Sequence, residues 1–130
     1  MKKIIALSLI SVFAFASCTK TEGVGGAATV TGKIRVENYN GSGVLVNEYD
    51  GQDLDVYIVY GSEDNITDDR VRSSYDGTFE FKYLRKGSYK IYTYSDCVSC
   101  ANGVDSVIVK EFEITDKKED LDLGALTIRK

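Results

Sequence analysis

Cys97 and Cys100 stand in a Cys-Val-Ser-Cys stretch, and two thiols at that spacing can form a disulfide, shuttle electrons or ligate a metal. A redox pair wants its first cysteine at a helix N-terminus, where the helix dipole lowers the thiol pKa. Here the pair follows a strand-like run, with Asp96 beside it to raise that pKa instead. Zinc would need two further ligands, and the chain has no histidine. A disulfide closing so small a loop would stabilise the fold by about 2 kcal/mol. The lack of histidine also removes the usual general base, and no serine sits in a nucleophile elbow. No catalytic residue, metal or cofactor is therefore expected, and the chain reads as a non-enzyme.

Two acidic stretches offer carboxylate oxygens of the kind calcium takes: Asp50, Asp53 and Asp55, then Glu63, Asp64, Asp68 and Asp69. Neither follows the Asp-x-Asp/Asn-x-Asp/Asn-Gly order of a calcium loop, so both read as a solvated acidic rim. Tyrosine carries the other chemistry, with nine copies in 130 residues. Tyr92 and Tyr94 fall out of phase with Tyr89 and Ile91, and Tyr57 is out of phase with Val56 and Ile58. On a strand that places Tyr57, Tyr92 and Tyr94 on the outward face. There they could pair across strands, stack on sugar rings or anchor a protein partner.

These residues must be positioned by strands, because apolar positions from Thr29 onward recur with period two and no helical stretch is evident. Val30, Gly32, Ile34 and Val36 form one alternating set; Leu54, Val56, Ile58 and Tyr60 form another. A Val44-Leu45-Val46 run lies between them. Arg70–Tyr75 and Thr78–Tyr83 flank Asp76-Gly77, a strong hairpin signal, with Phe79 and Phe81 directed inward. Further strands are expected over Tyr89–Tyr94, Val104–Ile114 and Leu121–Ile128. About seven short strands with regular turns argue an all-β, Greek-key β-sandwich over residues 29–130. Thr19–Ala28, with three glycines and no apolar periodicity, reads as a flexible tether with a reach of roughly 17–19 Å.

Leu84-Arg85-Lys86-Gly87-Ser88-Tyr89 has the Leu-x-x-Gly-x-Tyr spacing of a tyrosine corner, in which the phenol bonds backbone a few residues upstream. With Ser73-Ser74-Tyr75-Asp76-Gly77-Thr78-Phe79 and the opening Val30-Thr31-Gly32-Lys33-Ile34, the domain resembles the carboxypeptidase regulatory-like, or transthyretin-like, β-sandwich family. Ser73 and Ser74 stand where that family usually has Thr-Asp. The resemblance implies the fold and leaves function open. The hydrolase branch of transthyretin-like proteins relies on histidines that this chain lacks.

The first residues give an address. Lys2 and Lys3 precede an apolar run, Ile4–Phe15, and then Ala16, Ser17 and Cys18. As a helix that run spans about 18 Å, short of the ~30 Å hydrocarbon core of a bilayer. It resembles the signal peptide of bacterial lipoproteins, with residues 1–17 removed and Cys18 acylated. An ordinary secretory signal cleaved at Ala14-Phe15-Ala16 is the competing reading. The lipoprotein resemblance implies a membrane partner held through acyl chains on Cys18. Lys20, two residues on, implies sorting to the outer membrane, on either its periplasmic or its surface face. In that compartment Cys97 and Cys100 are expected to be joined as a disulfide. A thiol-redox envelope protein is the alternative.

Loss of Lys2 and Lys3 with the signal leaves 14 Lys and Arg against 20 Asp and Glu, a net charge of −6. An acidic domain without a basic stripe argues against nucleic acid. It also argues against a second, electrostatic attachment to anionic lipid. The expectation is thus a lipid-anchored interaction or accessory module of the cell envelope. Its partner would be an envelope protein or, in the alternative using Tyr57, Tyr92 and Tyr94, a glycan.

Overall fold

The computed structural model describes residues 22–63, 65–97 and 104–130. The expected signal segment 1–17, Cys18 and Cys100 lie outside the described residues.

Eight strands account for the described chain: β1 (Val24–Tyr39), β2 (Leu45–Asp50), β3 (Asp55–Tyr60), β4 (Asp69–Arg72), β5 (Thr78–Leu84), β6 (Gly87–Ser95), β7 (Ser106–Ile114) and β8 (Asp120–Arg129). They form two four-stranded sheets packed as a sandwich. In the first sheet the long β1 is central. One of its edges pairs in parallel with β8; the other is shared by β5, along its first half, and β2, along its second. The second sheet is antiparallel throughout, in the order β4-β3-β6-β7. β3 and β6 are neighbours although β4 and β5 intervene in the chain, which is the long return of a Greek key.

Alternation puts the core where the sequence placed it. Val30, Ile34 and Val36 of β1, Val56 and Ile58 of β3, Phe79 and Phe81 of β5 and Ile91 of β6 are all buried between the sheets. Gly32 belongs to the same inward row, and the Phe79 ring fills the space a side chain would take there.

Two expectations need correction. The tether was expected to run to Ala28, but Val24–Ala28 forms the start of β1 and pairs with Leu84. Glycine makes this possible: a Cβ on Gly26 would collide with the Leu84 carbonyl, so only a bare backbone can lie so close. The Asp76-Gly77 hairpin was expected to pair the strands on either side of it. A tight turn is present, with Ser74 N–H donating to Thr78 O (2.7 Å) and Gly77 N–H to Ser74 O (2.9 Å). Beyond it the strands part, β4 joining β3 in one sheet and β5 joining β1 in the other. The turn is a corner between sheets, because Val71 and the two phenylalanines reach the core from opposite sides.

The tyrosine corner forms as its spacing predicts. The Tyr89 hydroxyl donates to Arg85 O (2.7 Å) and accepts from Gly23 N–H (2.9 Å). The phenol therefore fastens the beginning of the chain as well as the β5–β6 connection. Its ring packs against Phe112 (stacked, 5.5 Å) and edge-on to Tyr60 (5.9 Å). Leu84 is buried beneath the turn, and Gly87 takes φ +140°, a conformation open to glycine, with Glu22 over its α-carbon.

Candidate functional site

The outer face of the second sheet brings the three outward tyrosines together. Val56 and Ile58 of β3, and Tyr89, Ile91 and Thr93 of β6, are buried, so their neighbours Tyr57, Tyr92 and Tyr94 project away from the core. The β3–β6 register sets Tyr57 opposite Tyr92. Their rings stack at 4.9 Å with 13° between planes. Tyr94 stands perpendicular to both, 5.7 Å from Tyr57 and 5.9 Å from Tyr92. Tyr94 as a residue is 48 % exposed. The Tyr92 phenol beside it, then burial and Tyr57, raise the Tyr94 pKa above the ordinary tyrosine range. The group thus stays a neutral donor and acceptor at physiological pH.

The cluster has an apolar flank and a polar one. On β7, Val109 lies opposite Tyr92 and Val107 opposite Tyr94, at 54 % and 47 % exposure. On β4, Arg70 faces Tyr57 and Arg72 faces Asp55. The Asp55 carboxylate meets Arg72 (3.3 Å) and Arg70 (3.7 Å), and Arg72 also reaches Asp53 (3.3 Å). Asp53, then Asp55, raise the Arg72 pKa. The connection after β3 folds back along this face. Thr67 shares a hydrogen bond with the Tyr92 hydroxyl, and Lys90 Nζ donates to Asn65 Oδ1 (2.9 Å). Val59, although outward in phase, is covered and 2 % exposed.

Tyr94 divides two concavities. One, of about 240 Å³, is bounded by Asn65, Lys90, Tyr92, Val107 and Val109; the other, of about 190 Å³, by Asp55, Tyr57, Asp96, Asp105 and Lys130. Each combines an aromatic wall with hydrogen-bonding groups, the composition of a site for a small polar ligand with apolar faces.

Sequence phase found the three tyrosines but missed their surroundings. Arg70 and Arg72 enter through the β3–β4 pairing, which no local pattern announces. Val107 and Val109 had a signal: Val107-Ile108-Val109 is apolar on both faces of a strand, so one face had to be outward. Ser73 was also missed. It is buried, its hydroxyl donates to Gly51 O and accepts from Leu54 N–H (2.9 Å), and it thereby closes the β2–β3 turn. Among the described residues no group of His, Cys, Asp or Glu could hold a metal. Cys97 lies just after β6, and its expected partner Cys100 is outside the described residues.

No family model matches the chain, and no curated protein matches it. Among solved structures it is similar to a "putative carbohydrate binding protein" from Pseudomonas aeruginosa, at 11 % identity and a TM-score of 0.49 over 83 % of this chain and 91 % of the other. Likeness at that level carries no argument about ligand or mechanism.

Proposed function

We propose that this protein is a non-enzymatic binding module of the cell envelope, held at the outer membrane by acyl chains on Cys18, and that its ligand is a carbohydrate. The observation that carries the ligand class is the cluster of Tyr57, Tyr92 and Tyr94 between two polar-rimmed concavities on an exposed sheet face. A sugar ring presents apolar C–H faces and a belt of hydroxyls. Aromatic side chains serve the faces, while Asp55, Asn65, Lys90 and Asp105 serve the belt. The fold belongs to the same proposal: Tyr89 completes a tyrosine corner, which supports the carboxypeptidase regulatory-like resemblance. The bonded state of Cys97 supports its pairing with Cys100.

The test is retention of the mature protein on insoluble polysaccharides and on a glycan array, compared with a Tyr92→Ala, Tyr94→Ala variant. Binding by the parent and a loss of about tenfold or more in the variant is expected, since removal of an aromatic anchor costs over 1 kcal/mol. Retention on no glycan would refute the ligand class. Crosslinking of one envelope protein to this face, lost in the same variant, would then identify a protein ligand instead.

A further inference from the structure

The opposite end of the sandwich carries a second feature. β6 leaves the β5–β6 turn at Gly87 and reaches the tyrosine cluster at Tyr92 and Tyr94, so the turn and the cluster lie toward opposite ends of the sheet. At the turn end, Arg85 and Lys86 of the β5–β6 connection meet Lys117 and Lys118 of the β7–β8 connection. Together with Gly25, Gly26 and Ala27 they line a concavity of about 580 Å³. All four cations are exposed, and none forms a salt bridge to a described residue. Two carboxylates of the β7–β8 connection are engaged by their own loop, while Glu113 and Asp120 at the adjoining strand ends are exposed. Glu119 accepts from Thr115 N–H (2.8 Å) and Asp116 N–H (3.3 Å), and Asp116 accepts from Lys118 N–H (3.0 Å). Glu22 lies over Gly87.

Two apolar groups stand at the same strand end. Val24 is 54 % exposed and pairs with Leu84; Tyr83, its neighbour, is 65 % exposed. Tyr83 adopts φ +60°, a left-handed backbone uncommon for a bulky side chain. The β1–β5 register shifts here, Ala28 facing Leu84 and Val30 facing Phe81, so the bulge turns Tyr83 outward and Leu84 inward.

We propose that this end is a docking surface for an anionic phospholipid bilayer. Arg85, Lys86, Lys117 and Lys118 would lie against headgroup phosphates, with Tyr83 and Val24 at the interface. The inference rests on the reading of Cys18 as the acylated residue, because that fixes which end faces the membrane. Gly23 is fastened to Tyr89, and only Thr19, Lys20 and Thr21 separate Cys18 from Glu22. That connection spans at most roughly 15 Å, under two Debye lengths at physiological salt, so the cations sit within reach of the surface field. Tyrosine at the headgroup level has one apolar and one wet side to satisfy. The net charge of −6 remains correct as a sum, but it averages over a surface on which Arg85, Lys86, Lys117 and Lys118 stand together at one end.

The acylated protein is reconstituted on vesicles of phosphatidylcholine alone and on vesicles with about a third phosphatidylglycerol. It is then labelled with a membrane-impermeant amine reagent. Flotation with the neutral vesicles, and a lipid-modified Cys18 peptide in the digest, report the anchor by itself. Labelling of Lys86, Lys117 and Lys118, relative to Lys130 at the far end, reports the docking. Those three lysines should label several-fold more slowly on the anionic vesicles, and the contrast should vanish at high salt. In a Lys117→Glu, Lys118→Glu variant flotation persists while the protection of Lys86 is lost. Equal labelling on both vesicles, with flotation intact, would overturn the docking surface. Absence of flotation on neutral vesicles would overturn the anchor, and binding only to anionic vesicles at low salt would still report the basic end.

Discussion

Replacement of Tyr89 by phenylalanine isolates the contribution of a single hydroxyl to this fold. The ring would keep its stack on Phe112 and its edge contact with Tyr60, so the buried apolar area is unchanged. The hydroxyl's two short hydrogen bonds disappear, the donation to Arg85 O at 2.7 Å and the acceptance from Gly23 N–H at 2.9 Å, along with a long approach to Gly23 O at 3.5 Å. Arg85 lies at an exposed turn, where its carbonyl can turn to water at a cost of about 1 kcal/mol. Gly23 is buried, and an amide left without a partner there costs about 1–3 kcal/mol. Tyr89→Phe should therefore destabilise the domain by about 2–4 kcal/mol, a fall in Tm of roughly 10–15 °C for a domain of this size. Urea and thermal unfolding of the mature chain measure it, and the urea m-value should not move. Hydrogen exchange adds a local readout, since the Gly23 amide should lose protection while amides of β3 and β6 exchange only as fast as the lower global stability allows.

The pH dependence of the same variant supplies a sign. Burial, above all, raises the Tyr89 phenol above the ordinary 10.0. A group whose folded pKa is raised contributes stability below its unfolded value and loses it as pH climbs through the folded value. The parent should thus lose stability above pH 10, and the gap to Tyr89→Phe should narrow there. A Tm shift below about 2 °C, or a gap that widens in alkali, would refute the account of the corner as a hydrogen-bonded clasp.

Two glycines with similar backbones separate strain from contact. Gly77 (φ +81°) and Gly124 (φ +73°) are both left-handed, but a Cβ on Gly77 would collide with the Ile34 carbonyl, whereas one on Gly124 meets nothing. Gly124→Ala should cost about 1–2 kcal/mol and Gly77→Ala about 3 kcal/mol or more, read from urea midpoints; equal losses would refute the close approach. The Asp76 carboxyl is held below its ordinary 3.8 by the Thr78 hydroxyl (2.6 Å) and then by the Thr78 N–H (3.1 Å). A depressed folded pKa gives stability above the unfolded value that is lost as pH falls. Thr78→Val should accordingly be less stable than the parent near neutrality, with the difference shrinking below pH 3.8.

Phase was legible in the sequence; partnership was not. The alternation of Val30, Gly32, Ile34 and Val36 says which side of β1 is buried, because side chains on a strand alternate whatever lies beside it. It does not say that β8 lies along one edge in parallel, or that β5 and β2 divide the other. The Asp76-Gly77 turn encodes a reversal of direction, and reversal serves a corner between sheets as well as a hairpin within one. The site divides in the same way. That Tyr57, Tyr92 and Tyr94 share a face followed from their spacing, but that two of them stack depends on the Tyr57–Tyr92 register. The basic end had no local signal at all, since Arg85-Lys86 and Lys117-Lys118 are brought together only by the fold.

The two ends of the sandwich constrain one another through β6. Gly87 begins that strand at the basic end, and Tyr94 lies about 23 Å along it at ~3.3 Å per residue. The three residues between Cys18 and Glu22 add at most roughly 15 Å, and the grip of Tyr89 on Gly23 prevents the spacer from lengthening by peeling β1 away. A domain so fastened cannot sweep the volume that a longer flexible tether would allow. With Cys18 acylated as proposed, the tyrosine face would be presented within a shell a few nanometres from the membrane, oriented by the attraction of Arg85, Lys86, Lys117 and Lys118 to lipid. A soluble oligosaccharide would gain nothing from that restriction. A polymer or glycoconjugate already held at a fixed distance from the same membrane would be met at high effective concentration, so weak stacking on Tyr57, Tyr92 and Tyr94 could suffice for retention.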